Sequence, residues 1–272
     1  MRTLPAVAFA IVAAGLPSLA MADGAGSALG VKQAADARLT GVTRTLEVGS
    51  DTFIGDLVQT GARGQVQILF NDNTEMVVGP SSQLAIEDYL LRGDGSAGKL
   101  AVEVLSGAFR FATGDSAKNR HTIDTPTGAI GVRGTEFDIW VEVDGTTYVL
   151  RHGGTVVICN DAGECEVLDE TCEVGKIAPG EVAVLGDARQ SRGEQRAAFK
   201  QWFRYSDNQS PLLRQFWFAR ARDCLHAVPT DPEDDPSDSN TNNDGGAEDN
   251  PQSPDTPVLP ETPVITDRTI FN

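Results

Sequence analysis

The chain has 272 residues, room for one sizeable core or one domain with appendages, and a formal net charge of −17. From Asp231 to Asn272 eleven Asp or Glu face a single Arg, so the tail carries −10 and the rest is only mildly acidic. A nucleic-acid partner is excluded on that ground, because phosphate contacts need a basic surface.

The N-terminus reads as an export signal over residues 1–22. Arg2 supplies the positive start, Leu4 to Leu16 is almost wholly apolar, and Gly15 and Pro17 break the run. Ala20-Met21-Ala22 then offers a peptidase site, with cleavage expected after Ala22. The apolar run is too short to cross a bilayer, which takes about 20 residues. No later stretch is apolar enough either, so the expected product is not membrane-spanning, and its expected location is periplasmic or secreted.

Residues 23–38 form a leader of small residues without strong pattern. Residues 39–187 have β texture: short runs of Val, Ile, Leu, Phe and Thr alternate with Gly, Asn and Asp. Val66 to Phe70, the turn Asn71-Asp72-Asn73 and Thr74 to Val78 predict a hairpin. Leu100 to Leu105, Ala108 to Ala112, Thr146 to Leu150, Thr155 to Cys159 and Glu181 to Leu185 read as further strands. In the run from Glu136 to Val143, Phe137, Ile139, Val141 and Val143 alternate with Glu136, Asp138, Trp140 and Glu142. That period of two predicts one core face and one face largely in solvent.

Residues 188–228 change to helical texture. Ala197, Ala198, Phe199, Trp202 and Phe203 make an apolar stripe, and Ser210-Pro211 reads as the N-cap and first residue of a second helix. Eight Lys or Arg face three Asp or Glu between Arg189 and Asp223. Two roles fit this basic helical pair: its aromatics cap an open end of the β body, or they form a docking surface, with Trp202, Phe203 and Trp217 as the candidates, for a partner or for anionic lipid headgroups. Residues 229–272 are Pro, Asp, Ser, Asn and Thr with few apolar side chains, a composition that predicts a disordered tail.

Four cysteines in an exported chain point to disulfides, and three pairings are open. Cys159 and Cys165 flank an apparent hairpin turn, Asn160 to Glu164, which favours a bridge across it and leaves Cys172 with Cys224. Zinc would prefer CxxC-type spacing, which is absent. No metal, cofactor or catalytic set is expected. His121, His152 and His226 lie in unrelated contexts, and Gly128 to Thr135 lacks the Lys and the following helix of a phosphate loop.

Several strings resemble the FecR domain family, in order, from about Leu39 to Leu185. Gly55-Asp56-Leu57-Val58-Gln59-Thr60-Gly61 is similar to its GDxVxTG element, and Leu69 to Thr74 to its LxFxDGT hairpin, with Asn73 in place of the usual Gly. Val78 to Leu84 resembles GPxSxL, while Gly153 to Val156 and Ala178 to Glu181 fit two later elements. The most specific match runs from Thr125 to Phe137, close to TPxxxxGVRGTxF, and contains Thr125, Pro126, Gly131, Arg133, Gly134 and Thr135.

The resemblance implies a mainly β fold of short stacked strands and hairpins, solenoid-like in character, outside the cytoplasm. It also implies that the TPxxxxGVRGT segment is a structural corner, with Arg133 donating to backbone carbonyls. The best-known members of the family are signal transducers with a cytoplasmic anti-sigma region and a transmembrane helix, and the export signal departs from that plan. The expected function is therefore a non-enzymatic periplasmic or secreted module that binds an envelope protein or surface ligand. Two alternatives are a sensory component working with a separate transmitter, and a carbohydrate-binding module using exposed aromatics such as Trp140.

Overall fold

The computed structural model describes residues 24–91, 97–115 and 121–226. The expected signal peptide and acidic tail lie outside them. The chain divides into two compact units, Met1–Thr230 and Asp231–Asn272, and the described residues all belong to the first.

The strands are, in chain order, β1 (Gly24–Lys32), β2 (Ala35–Leu39), β3 (Val42–Thr45), β4 (Asp51–Phe53), β5 (Leu57–Thr60), β6 (Gln65–Phe70), β7 (Glu75–Val78) and β8 (Gln83–Leu91). There follow β9 (Ala97–Ala112), β10 (His121–Thr125), β11 (Gly128–Val141), β12 (Thr147–Asn160), β13 (Cys165–Leu168), β14 (Glu173–Ala178) and β15 (Glu181–Asp187). They form one mixed sheet whose main path runs β15-β14-β12-β11-β10-β9-β7-β6-β1-β4. A branch leaves β9 through β8, β5, β2 and β3. Neighbours are antiparallel except β9 and β10.

Alternation sets the inner face. Val66, Ile68 and Phe70 of β6, Met76 and Val78 of β7, Phe137, Ile139 and Val141 of β11, and Val149, Val156 and Ile158 of β12 all enter one buried cluster. It extends from Ala25 in β1 to Ile177 in β14, so the sheet folds over on itself around a single core. The β6–β7 hairpin forms as its sequence predicts, and Asn73 adopts φ 62, the left-handed position that Asn tolerates better than most residues.

The leader is not outside the fold. Its residues make β1 and most of β2, and β1 lies between β4 and β6. Small residues let it fit: a Cβ on Gly26 would collide with the Leu69 carbonyl, and Ala25 and Ala28 are fully buried. The segment from Thr125 to Thr135 also differs from the expected corner. The tight turn is confined to Pro126-Thr127, where Thr125 pairs with Gly128. Gly131, Arg133, Gly134 and Thr135 continue along β11, with the register shifting between Arg133 and Glu136. The Arg133 side chain is exposed and, among the described residues, makes no hydrogen bond, so it does not tie backbone carbonyls as expected.

Two facing glycines make that irregularity possible. Gly134 has φ +63 and Gly154 of β12 has φ +74, and a Cβ on Gly154 would collide with the Gly134 carbonyl. Gly154→Ala should therefore cost about 2 kcal/mol or more, combining positive-φ strain with a backbone clash. Gly180→Ala, at φ +67 in open space, should cost only the strain, on the order of 1 kcal/mol. Urea midpoints of the two variants test this: equal losses would refute the packing argument.

Part of the second face, around β7, β9, β11, β12 and β14, is covered rather than solvated. After a 3-10 turn at Ala188–Gln190, α1 (Gly193–Trp202) and α2 (Arg204–Asp207) pack over it. The expected helix from Ser210 does not form; the chain makes a 3-10 turn at Arg214–Phe216 and then α3 (Asp223–His226), the last described element. Side-chain amides of β6 hold this segment instead, one of them taking the Pro211 carbonyl that a helix would pair internally. Leu213 N–H donates to Gln67 Oε1 at 2.7 Å, and Gln65 Nε2 donates to the Pro211 carbonyl at 3.3 Å.

Two apolar clusters hold this layer down. Leu150 and Val174 meet Phe199, Phe203 and Leu225, while Val77 meets Tyr205, Leu212 and Phe216. Disulfides join Cys159 to Cys165 across the β12–β13 hairpin, and Cys172, in the turn before β14, to Cys224 of α3.

Candidate functional site

Beneath the C-terminal layer, β9, β11 and β12 each contribute one polar side chain to a buried cluster. Arg110 grips Asp138 with two parallel hydrogen bonds, Nε to Oδ1 at 2.6 Å and Nη2 to Oδ2 at 2.9 Å. Ser206 of α2 donates to Asp138 Oδ2 at 2.6 Å and lies 2.9 Å from His152 Nε2. Gln209 accepts from Arg110 Nη1 through Oε1 and brackets the backbone of Phe218, accepting from its N–H and donating to its carbonyl. The Phe218 ring lies 4.1 Å from the Arg110 guanidinium carbon, closing the site from above.

The electrostatics follow from burial. Burial alone would raise the Asp138 carboxyl, but the Arg110 charge and the bonds from Arg110 and His152 outweigh it and hold the group well below the carboxylate range. Burial pushes the His152 imidazole down, with Asp138 opposing, so it is neutral near pH 7. Asp138, read from its alternation as solvent-facing, is instead 1 % exposed because residues 206–218 lie across it.

Ser206, His152 and Asp138 share the residue types of a hydrolase triad without its wiring. The Ser206 hydroxyl donates to the carboxylate, so His152 Nε2 does not accept from it; the Nε2–H instead faces Ser206 Oγ at 2.9 Å and Asp138 Oδ2 at 3.5 Å. His152 Nδ1 faces the Cys224 sulfur at 3.6 Å, where a triad places the carboxylate. Ser206 is also fully buried. The cluster is a fastener between two layers.

The FecR-like strings hold further fasteners. Asp56 is fully buried, accepts from Phe53 N–H at 2.8 Å and is gripped by Arg44. Asp72 accepts from the Thr74 N–H and hydroxyl, with Tyr89 OH and His121 Nε2 also within reach. Thr60 and Ser82 dovetail two turns: Ser82 N–H donates to Thr60 Oγ1, and Ser82 Oγ accepts from Ala108 N–H. The Asp of each of the two motifs is thus explained by orphan backbone donors that would otherwise be buried.

The three aromatic candidates have different fates. Phe203 is 1 % exposed and packs with Phe199, so it is core and not docking surface. Trp202 is half-buried and stacks on Tyr148 at 4.0 Å. Trp217 is half-buried, its Nε1 donates to the Leu212 carbonyl at 3.1 Å, and the exposed Arg214 lies over its ring at 4.2 Å. Leu213 beside them is 42 % exposed. Trp140 is half-buried with its indole nitrogen fully enclosed, which leaves little ring for a sugar to stack upon. The ridge formed by Leu213, Arg214 and Trp217 could not be read as such from the sequence, which assigned these residues to a helix.

Among the described residues no group of His, Cys, Asp and Glu could hold a metal ion, and no helix is long and apolar enough to cross a membrane. No curated protein matches the chain. Two crystal structures of a "putative anti-sigma factor" from Parabacteroides distasonis ATCC 8503 are similar at 13% and 12% identity, with TM-scores of 0.40 and 0.38. The matches cover 52% and 53% of this chain, which spans 62% and 63% of the length of those two. The family model described as FecR protein matches residues 56–156, which hold the Asp56, Asp72 and Thr125–Thr135 elements described above. Over these residues the chain carries a FecR domain.

Proposed function

We propose that this protein is a non-enzymatic binding module of the cell envelope, periplasmic or secreted, which docks an envelope protein through the ridge of Leu213, Arg214 and Trp217. Support for the address comes from the two disulfides, since such bridges persist in oxidising compartments. The reading of the surface rests on one observation: an arginine stacked on a half-exposed tryptophan, beside an exposed leucine, on a segment fastened rigidly beneath. Trp and Arg are the side chains that dominate protein interfaces, and a pre-ordered ridge loses little entropy on binding.

Capture of envelope proteins by the full-length chain tests this reading. Trp217→Ala with Arg214→Ala should lower recovery of a specific partner about tenfold, equivalent to about 1.4 kcal/mol. The thermal midpoint should move only a few degrees. Undiminished recovery would remove the ridge from the function.

A further inference from the structure

One cleft lies beside that ridge, between the turn after β5 and the α1–α2 pair, with Pro211 on its rim. Its volume is about 680 Å3, within the range of sites that take an extended ligand. On a chain of net charge −17 its walls are basic: Lys32, Arg63, Lys200 and Arg204 line it against one carboxylate, Asp207. Asp207 is already engaged, 3.7 Å from Lys200 and 3.1 Å from His226. Lys32, Arg63 and Arg204 have no ion-pair partner among the described residues.

We propose that this cleft binds a short acidic peptide segment of a partner protein, a proposal that rests on the reading of the neighbouring ridge as a protein-docking face. Charge complementarity supplies the attraction. The exposed amide of Gln201 also lines the cleft and offers a donor and an acceptor together, which suits a peptide backbone, while Asn208, whose Oδ1 accepts from the Ser210 N–H, adds its amide donors. A phosphate group presents acceptors almost alone and would leave the Gln201 carbonyl unmatched. An anionic bilayer or long nucleic acid would bring extended negative charge against an acidic protein, whereas a short segment meets only the basic walls.

The test uses the full-length chain and a fluorescein-labelled decapeptide of alternating Glu and Ser, followed by anisotropy. Saturable binding should weaken with added salt and fall at least tenfold in Arg63→Glu with Arg204→Glu. Both sites are exposed, and an unchanged circular dichroism spectrum confirms that the variant folds. The Gln-for-Glu peptide should not bind. No binding by the native chain, equal binding by the charge-reversed variant, displacement by equimolar inorganic phosphate, or preference for phosphatidylglycerol vesicles over the peptide would each overturn the proposal. The two readings fail separately. Loss of peptide binding on charge reversal, with partner capture indifferent to Trp217, keeps the cleft and removes the ridge. Intact peptide binding after charge reversal, with capture lost in the Trp217 variant, does the opposite.

Discussion

Asp138→Asn should destabilise the fold by roughly 3–5 kcal/mol, the loss expected when one partner of a buried ion pair is removed and the other charge is stranded. Arg110 is 1 % exposed and fully enclosed by Asp138, Gln209 and Phe218, so it has no route to water when its carboxylate is gone. Arg110→Met should cost a similar amount. The double variant Arg110→Met with Asp138→Leu should recover a substantial part, because no charge is then left without a partner. Urea unfolding of the three variants decides the matter: additive losses would mean that the pair is not a coupled unit.

The same cluster predicts acid sensitivity in two steps. His152 has a folded pKa below its ordinary value of 6.5, so the unfolded chain takes up that proton first. Its contribution is complete above pH 6.5 and is lost as pH falls below that value through the lower folded pKa. Asp138 lies below its ordinary 3.8, so its contribution is complete above that pH and is lost on further acidification. Glu75 acts with the opposite sign. Burial, and then the charge of Glu136, push its carboxyl up to about 7, so its contribution is complete below 4.5 and is lost as pH rises through 7. The histidine limb is therefore best measured in Glu75→Gln, where stability should drop visibly between pH 7 and 5. A flat profile there would show that His152 is not buried neutral.

What the sequence revealed and what it hid divide along the two faces of the sheet. The inner face was legible because alternation is local: Phe137, Ile139 and Val141 mark it within a few residues of one another, although Val143, expected on the same face, lies past the end of β11 and is fully exposed. The outer face was not, because period two says which side chains share a face and nothing about what covers them. Asp138 is buried by Ser206, 68 positions away, and no local pattern encodes that contact. The same limit explains the helix expected at Ser210. Its capping signal is sound for an isolated peptide, but Gln65 of β6 binds the Pro211 carbonyl that a helix would need, and Gln67 holds the Leu213 N–H, two contacts from distant positions that no local pattern encodes. The strand in the leader was hidden by composition, since Gly and Ala have low β propensity and β1 uses them for close packing against β6. In the site itself the FecR-like strings were readable, whereas the roles of Asp56 and Asp72 emerged only with the backbone donors around them.

The largest remaining effect should come from the two disulfides, and they should be unequal. Cys172 and Cys224 are 52 positions apart, so their bridge removes much freedom from the unfolded chain, about 4 kcal/mol by loop-closure entropy. Cys159 and Cys165 are 6 apart and should contribute only about 2 kcal/mol. The consequences also differ in kind. Cys224 is fully buried beside His152 and packs with Phe199, Phe203 and Leu225, so the long bridge pins the end of the layer that covers Asp138. Cys172→Ser with Cys224→Ser should therefore open residues 188–226 to proteolysis before the sheet unfolds, and lower the urea midpoint in step. Cys159→Ser with Cys165→Ser should leave that layer protected, since it alters only the tip of the β12–β13 hairpin. If both pairs gave the same cleavage pattern, the C-terminal layer would owe its place to the Arg110–Asp138 fastener alone, and the ridge and cleft it carries would persist without the bridge.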